Sequence, residues 1–448
     1  MRFCAPIFLL SLISTFCHAQ DNSPYSRYGL GEVVNNQHMV SRAMGGINAG
    51  YSDYQSVNFV NPATYGNLSY FSSYRFARTG QRSTIFDLGA EIDVRKLKST
   101  DPVDRFSITN LTVSYVQLGI PIKIKKANSN GWFFGTGFGL KPVTKINYKI
   151  YSPRRIPGVD TLGTLYEGTG GLNEAGVGFG VRYRQLSFGV NAGYRFGIKD
   201  YSTKLIFLND SVKYTSSNSA NKTSYNGFVF TGGVQYELNL RNMARLRLGA
   251  YGNLGQELNA EQKVVRETII TDLNGNVFRS DSVYENTSLG KILYPSSYTL
   301  GFTYQDSAGR WLVGADFGRM KWSEYRYFGQ SDKVADNWHV RAGAEYYPAR
   351  INTPFKKYFS FVRYRLGMYY GTDYINFGTP RPEYGITFGA GFPLKLRRNF
   401  YETQTSYLNA ALEIGRRGGK SENLYENFFR IGIGLSLSDI WFNRFKYY

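Results

Sequence analysis

Residues 431–438, near the C-terminus, read IGIGLSLS, so that every odd position is aliphatic and every even position is Gly or Ser. Because successive side chains of a β-strand point to opposite faces, this stretch would have one apolar face and one nearly bare face. An amphipathic helix would instead repeat its apolar positions at intervals of three and four residues. The stretch therefore predicts a β-strand with a single apolar face.

The same alternation recurs along most of the chain. Residues 188–199 read FGVNAGYRFGIK, and residues 176–184 and 385–394 follow the same rule. We find about fifteen candidate strands between Tyr65 and Ser438, whereas a single-chain bacterial membrane barrel has an even number. The prediction is an all-β fold: a transmembrane antiparallel β-barrel of fourteen strands, with sixteen as the alternative.

The connections between candidate strands alternate in length, as the two ends of a membrane barrel predict. Short turns are predicted near residues 126–130, 184–186, 239–242 and 306–310. Longer loops are predicted near residues 152–166, 208–224, 269–289 and 328–336.

The composition fits a barrel better than the other classes of protein. Aromatic residues make up 17% of the chain, and there are 49 Gly but only 14 Pro, which excludes a low-complexity disordered protein. After residue 20 the chain has no apolar run of the length that a membrane-spanning helix requires. Strands that are apolar on one face only would give this modest hydropathy.

The first residues have the layout of a secretory signal peptide. Arg2 precedes the apolar run APIFLLSLISTF (residues 5–16), and cleavage is expected before Gln20. A lipoprotein with lipid on Cys17 is the alternative, although Phe16 is bulky where a small residue is needed. Residues 20–64 are polar and Gly-rich with little alternation. We therefore divide the chain into a signal peptide (1–19), an N-terminal segment (20–64) and a barrel (65–448), exported to the outer membrane.

The chain has few residues that could carry catalysis or bind a metal. Its 2 cysteines, Cys4 and Cys17, both lie in the signal peptide, and only His38 and His339 follow it. The glycines of residues 176–180 superficially suggest a nucleotide loop, but the alternation continues through them. Residues 272–276 suggest a calcium loop, but Val283 stands where a Glu is required. We predict no enzyme activity, no cofactor and no metal site.

The formal net charge of +20 comes from basic residues that are scattered, without the clustered patch that a nucleic-acid partner requires. An Arg on the lipid face costs about 2–4 kcal/mol at the bilayer midplane, so the Gly- and Arg-bearing faces are predicted to point inward. The lumen should then be positive. The lumen-facing basic candidates are Arg182, Arg195, Arg341, Arg363 and Arg365.

The segment after the signal peptide resembles the N-terminal hatch of the long-chain fatty-acid transporter (FadL-like) superfamily of outer-membrane barrels. The resemblance rests on RAMGG (residues 42–46), AGYSD (49–53) and NFVNPA (58–63). It implies a fourteen-stranded barrel plugged by its hatch, with hydrophobic compounds entering from outside and leaving sideways or through the hatch. The hatch positions carried over are Gly45, Gly46, Asn61, Pro62 and Ala63.

The sequence departs from the family pattern within the hatch, and its C-terminal strand shows a further resemblance. Tyr51, Tyr54 and Gln55 stand where the family has small and acidic residues, so the ligand pocket is not carried over. Residues 429–438, followed by DIWF, resemble the end strand that barrel-assembly machinery recognises, which makes that machinery an expected partner.

Two functions of different classes follow. The first is passive uptake of a hydrophobic or amphiphilic ligand, with an anionic compound favoured by a positive lumen. The second is a non-transporting barrel subunit of an outer-membrane secretion or assembly complex, with outer-membrane proteins, lipid or lipopolysaccharide as partners. A general porin is third, because a hatch would block the lumen.

Overall fold

The computed structural model describes residues 24–75, 83–100, 103–124, 128, 130–157, 160–207, 214–271, 277–349, 357–394, 406–419 and 424–439. The predicted signal peptide (1–19) and the suggested calcium loop (272–276) lie outside the described residues.

Fourteen antiparallel strands form one closed sheet, so the predicted barrel and strand number are confirmed and the alternative of sixteen is wrong. β7 and β8 are each interrupted by two residues, one of which is Pro295, a residue that cannot donate a backbone hydrogen bond. The strands are β1 (Thr84–Thr100), β2 (Val103–Ile122), β3 (Trp132–Ile156), β4 (Asp160–Tyr183), β5 (Leu186–Phe207), β6 (Ser216–Asn239), β7 (Arg245–Asn253 and Gln256–Thr271), β8 (Val277–Tyr294 and Ser297–Gln305), β9 (Trp311–Met320), β10 (Asn337–Tyr346), β11 (Arg363–Thr372), β12 (Pro382–Pro393), β13 (Tyr407–Arg417) and β14 (Leu424–Asp439).

The last strand closes the barrel by pairing with the first. The register runs from Leu424 opposite Ser99 to Asp439 opposite Thr84. Within β14, Ile433 is 52% exposed on the outer surface, while Gly432 and Gly434 are buried on the inner side. The alternating stretch therefore has the two faces that its sequence predicts.

The outer surface is apolar and has aromatic residues at both ends. Exposed Leu, Ile, Val and Phe side chains form a belt around the barrel. At one end the rings of Trp132 and Tyr183 lie 4.5 Å apart, and at the other end those of Trp338 and Tyr370 lie 5.8 Å apart. Aromatic girdles on either side of an apolar band are characteristic of barrels in membranes.

The two ends of the barrel differ in their connections. The end with the turns Arg184–Gln185 and 306–310, which we call the turn end, has the predicted short connections. At the other end, the hairpin end, three of the predicted long loops are wrong, because the strands continue and pair through them. Ile156 pairs with Asp160, Leu205 with Ser217, and Thr271 with Val277. Backbone pairing does not require an apolar face, so these hairpins project beyond the belt.

Residues 24–75 lie inside the barrel. They form a 3₁₀ helix (Pro24–Arg27), a two-residue strand (Glu32–Val33) and two helices, α1 (Met39–Arg42) and α2 (Thr64–Arg75). The predicted start of the barrel at residue 65 therefore needs correction, because residue 65 lies in α2 and the first strand begins at Thr84. We call residues 24–75 the hatch.

The remaining short elements lie in connections. They are the 3₁₀ helices Arg241–Met243, Trp322–Glu324 and Tyr358–Phe361, and the two-residue strand Arg326–Tyr327. No helix in the described part of the chain is long and apolar enough to cross a membrane.

Candidate functional site

The hatch runs through the lumen from the hairpin end to the turn end. At the hairpin end the ring of Tyr25 lies 6.4 Å from that of Phe377, and the Gly29 amide donates to Asp332 Oδ2 at 2.8 Å. At the turn end, Ser69 Oγ in α2 donates to the Ile122 carbonyl at 3.2 Å. The hatch therefore fills the barrel over its whole length.

The predicted hatch glycines form a turn pressed against the wall. Gly45 and Gly46 have φ values of +67° and +87°, which glycine adopts at little cost. The Gly45 amide donates to Thr387 Oγ1 at 2.8 Å, and a Cβ there would lie 2.6 Å from the carbonyl oxygens of Ala342 and Met368. Gly45 is thus required by both conformation and space.

The Asn61-Pro62-Ala63 motif ends the extended part of the hatch and starts α2. Asn61 Nδ2 donates to the Ala49 carbonyl at 2.8 Å, and Asn61 Oδ1 accepts from the Ala63 amide at 3.2 Å. Tyr65 in α2 then donates from its hydroxyl to Asn191 Oδ1 of the wall at 3.0 Å. The motif orients α2 across the turn end of the lumen.

The glycine faces of the strands are the surface on which the hatch packs. Many wall glycines sit where a Cβ would collide with hatch atoms. Such wall glycines, each with its hatch neighbour, include Gly189 with Pro62, Gly249 with Ala49, Gly343 with Met44 and Gly389 with Ala43. The inner faces are therefore nearly bare because the hatch occupies that space.

Arg182 lies at the turn end beneath α2. Its guanidinium donates to Asn67 Oδ1 at 2.8 Å and to Glu237 Oε1 at 3.0 Å, and it lies 3.7 Å from the ring centroid of Tyr70. Glu237 also accepts from Arg247 Nε at 3.1 Å. One buried carboxylate thus binds two arginines and, through Arg182, the hatch.

Arg363 and Arg365 form a second cluster. Arg363 donates to Asp53 of the hatch at 2.9 Å and to Glu345 at 3.1 Å. Arg365 donates to the other oxygen of Glu345 at 2.7 Å and to Asn409 at 2.9 Å. These arginines face inward, and their charges are neutralised by carboxylates.

The other two predicted arginines lie elsewhere in the lumen. Arg195 donates to Glu174 Oε2 at 2.8 Å and stacks 4.0 Å from the ring centroid of Tyr294. Arg341 lines a polar cavity of about 270 Å³, together with His339 and Tyr251. The five predicted arginines therefore do not meet at one site.

The charged hatch residues that bind to the wall were not predicted from the sequence. Glu32 accepts from Arg95 and from Arg417, the latter at 2.9 Å. Arg42 of α1 pairs with Glu91 and lies 3.7 Å from Glu413. The sequence could have indicated these ion pairs, because charged side chains in a segment that fills a lumen need counterions.

The lumen is not strongly positive, which corrects the prediction. Among the described residues, twelve Lys or Arg side chains and ten Asp or Glu side chains are buried. Within the same ranges, no group of three His, Asp or Glu side chains could hold a metal ion. Some of these charges pair with the hatch, as Asp53 does with Arg363, and others pair within the wall, as Glu174 does with Arg195. With the buried charges nearly balanced, no large excess of positive charge favours an anionic ligand.

The barrel wall has an opening between β2 and β3. These strands pair only from Val116 opposite Leu140 to Ile122 opposite Phe134, near the turn end. Toward the hairpin end, β2 pairs with β1 and β3 pairs with β4, but not with each other. The hatch strand Glu32–Val33 covers part of the β3 edge instead, opposite Lys145 and Thr144.

The opening follows from local irregularities in β3 and β4. β3 has a bulge between Pro142 and Thr144, where the register with β4 shifts. Opposite it, Gly170 and Gly171 have φ values of +129° and +141°. Bulges bend strands, and here the buried Val143 moves toward the hatch core and away from β2.

Both polar and apolar residues line the opening. On the outside, a groove of about 610 Å³ includes Tyr194 and Phe196. Between the strands, Lys145 Nζ donates to Thr112 Oγ1 at 3.5 Å. Behind this contact lies a cavity of about 50 Å³ that includes Asn110. The opening thus connects the apolar outer surface with the polar hatch.

Known structures share this architecture. The Pseudomonas putida toluene transporter TodX has a TM-score of 0.58 at 17% identity, with 92% of this chain and 100% of that chain covered. A Pseudomonas aeruginosa FadL homologue has a TM-score of 0.54 at 12% identity, covering 92% and 98%. No curated protein matches the chain in sequence. The fold is therefore that of a FadL-type outer-membrane barrel. The BamG family model matches residues 2–448, almost the whole sequence, and the chain belongs to the BamG family.

Proposed function

We propose that this protein resides in the outer membrane as a barrel subunit of a complex that assembles or secretes outer-membrane proteins. In this role the barrel conducts no solute. It serves as a rigid body whose outer surface, projecting hairpins and wall opening contact other proteins.

The observation that carries the proposal is the hatch. It crosses the whole lumen, packs against the wall glycines, and is held by buried ion pairs such as Asp53–Arg363 and Arg42–Glu91. A cavity of about 270 Å³ within the lumen is lined mainly by charged and polar side chains. A site for a hydrophobic ligand is normally lined by apolar and aromatic groups.

Membership of the BamG family supports the same role. The family's name points to the barrel-assembly machinery. The basic residues outside the lumen are available to neighbouring proteins or lipopolysaccharide.

Gentle detergent extraction of the native membrane, followed by purification through a C-terminal tag, tests this role. We expect a stoichiometric outer-membrane protein partner that persists through size exclusion. A tagged barrel of comparable size from the same membrane is the control. Recovery of the protein only as a monomer, at every detergent concentration that preserves other complexes, would contradict the proposal.

Passive uptake of hydrophobic compounds is the second candidate, and the wall opening with its outer groove favours it. TodX is a toluene transporter and CymD a monoaromatic hydrocarbon channel, and both share the fold. A compound could pass between the outer groove and the lumen only if part of the hatch moves away from the opening. Toluene uptake by vesicles containing the purified barrel, compared with protein-free vesicles, tests this candidate. Equal uptake by both would reject it.

A further inference from the structure

We propose that the opening between β2 and β3 is a docking site for an amphipathic β-strand of a partner protein, which pairs with the free strand edges. The proposal rests on the proposed function, because it names the contact through which a complex partner would bind. It concerns a surface of the chain other than the lumen.

The free edges are the first observation. Among the described residues, residues 106–113 of β2 have a strand partner only on the β1 side, and residues 148–156 of β3 only on the β4 side. Leu111 and Val113 on this edge are 61% and 57% exposed and belong to the apolar outer belt. Where this edge lies at membrane depth, as at Leu111 and Val113, it leaves backbone groups without water, at several kcal/mol for each group. Such an edge is stable when another chain covers it.

The hatch shows that this edge accepts a strand. Glu32–Val33 pairs antiparallel with Lys145 and Thr144 of β3. The Val34 amide donates to the Val143 carbonyl at 3.0 Å, and Ser26 Oγ donates to the Asn147 carbonyl at 3.3 Å. The hatch covers β3 only as far as Asn147, so a second strand would continue an existing interface along the same edge.

The two sides of the opening determine the chemistry of the occupant. On the inner side it would meet Asn110, Ser114 and Lys145, which line the small cavity in front of the hatch. On the outer side it would lie beside Leu111 and Val113. A strand that alternates polar inward and apolar outward residues satisfies both sides, and this is the pattern of a membrane-barrel strand.

The test uses the whole processed chain in detergent, which contains no cysteine after Cys17. One variant carries Leu111→Cys at the opening, and the matched control carries Ile433→Cys, an outward position in the fully paired β14. The probe is a synthetic peptide with the sequence of residues 424–439 and one added cysteine. A second peptide has the same side chains with alternate backbone amides N-methylated, which removes its ability to donate to a strand edge.

Each peptide carries its cysteine as a thiopyridyl disulfide, so that attack by the protein thiolate forms the new disulfide and releases thiopyridone. We expect this exchange of the first peptide with Leu111→Cys to be at least about tenfold faster than its exchange with Ile433→Cys. It should also be at least about tenfold faster than the exchange of the N-methylated peptide with Leu111→Cys. Equal rates at both positions, or with both peptides, would overturn the proposal. Dimers of Leu111→Cys that form without peptide and exclude it would identify a second copy of the chain as the occupant, which also overturns it.

A second variant closes the opening without altering the strands. Thr112→Cys with Lys145→Cys, bridged by a short bifunctional thiol reagent, should lose capture of a fluorescently labelled form of the first peptide without cysteine, whereas the same variant treated with a monofunctional thiol reagent keeps it. Undiminished capture after bridging would count against docking at this edge. If the chain captures the peptide but copurifies with no partner, the docking site stands and the proposed function fails. If the chain copurifies with a stable partner but captures no peptide, the proposed function stands and the docking site fails.

Discussion

The β1–β2 hairpin is bordered by two seams that differ sharply. On one side β1 pairs with β14 over 16 residue pairs, and on the other side β2 pairs with β3 over only 7. Both strands of the hairpin alternate in the same way and contribute to the same belt. The difference arises outside the hairpin, where the bulge at Pro142–Thr144 bends β3 inward. One neighbouring strand therefore decides whether an edge is sealed or open.

The two seams also differ in what lies behind them. The β1–β14 seam is backed by the buried pair of Arg430 with Asp93. Other fully paired parts of the wall are backed by clusters such as Arg182, Glu237 and Arg247, whereas the opening is bridged at its centre by the contact of Lys145 with Thr112. This contrast predicts which substitutions damage the barrel.

The largest loss is expected where the sealed wall is ion-paired. Glu237→Ala leaves two buried guanidinium groups without their shared carboxylate and should lower the free energy of unfolding by about 3–5 kcal/mol. Urea unfolding in lipid vesicles measures it. Asn253→Ala, in the same strand pair but away from these charges, is the control, and equal losses in the two variants would contradict the assigned role of Glu237.

The lipid-facing belt provides the next test. Ile433→Arg in the sealed seam should cost about 2–4 kcal/mol, whereas Leu111→Arg at the open seam should cost at most about 1 kcal/mol, because its guanidinium reaches the polar opening. Unfolding free energies from the same vesicles compare them. Equal costs at the two positions would mean that the opening is closed in the membrane.

Contact between the hatch and the wall can be tested with two glycines in neighbouring strands. A Cβ at Gly249 would collide with the Ala49 carbonyl, whereas a Cβ at Gly232 meets no atom within 4 Å. We expect Gly249→Ala to destabilise the protein by about 1–3 kcal/mol, and Gly232→Ala to have little effect. Protease digestion within residues 24–75 should be faster in Gly249→Ala than in Gly232→Ala. Equal rates in the two variants would show that the hatch does not pack against Gly249.

The smallest effect is expected at the opening itself. Thr112→Ala removes a single part-buried and long side-chain hydrogen bond and should cost no more than about 1 kcal/mol. Its effect should be local, with faster amide hydrogen exchange in residues 109–115 and 141–147 only. Faster exchange throughout β14 would show instead that the two seams are coupled.

The sequence was sufficient to predict the barrel, its strand number and the orientation of its faces, because alternation is local and visible in segments such as residues 431–438. The hatch positions followed from a resemblance. The opening could not be predicted, because strand pairing here depends on the bend in β3, which lies outside residues 106–113. The ion pairs were also missed, because Glu32 and Asp53 are far in sequence from Arg417 and Arg363. Helix α2 was missed because its sequence, TYGNLSYFSSYR, has little amphipathic pattern.

The path of residues 24–75 constrains how the protein is made. These residues run from the hairpin end of the barrel, through the lumen, to the turn end. A segment threaded in this way must be in place before β14 joins β1, since afterwards its leading end would have to pass through a closed ring of strands. Biogenesis should therefore proceed with the interior already filled, and later withdrawal of the segment through the turn end would require its buried ion pairs with the wall to break.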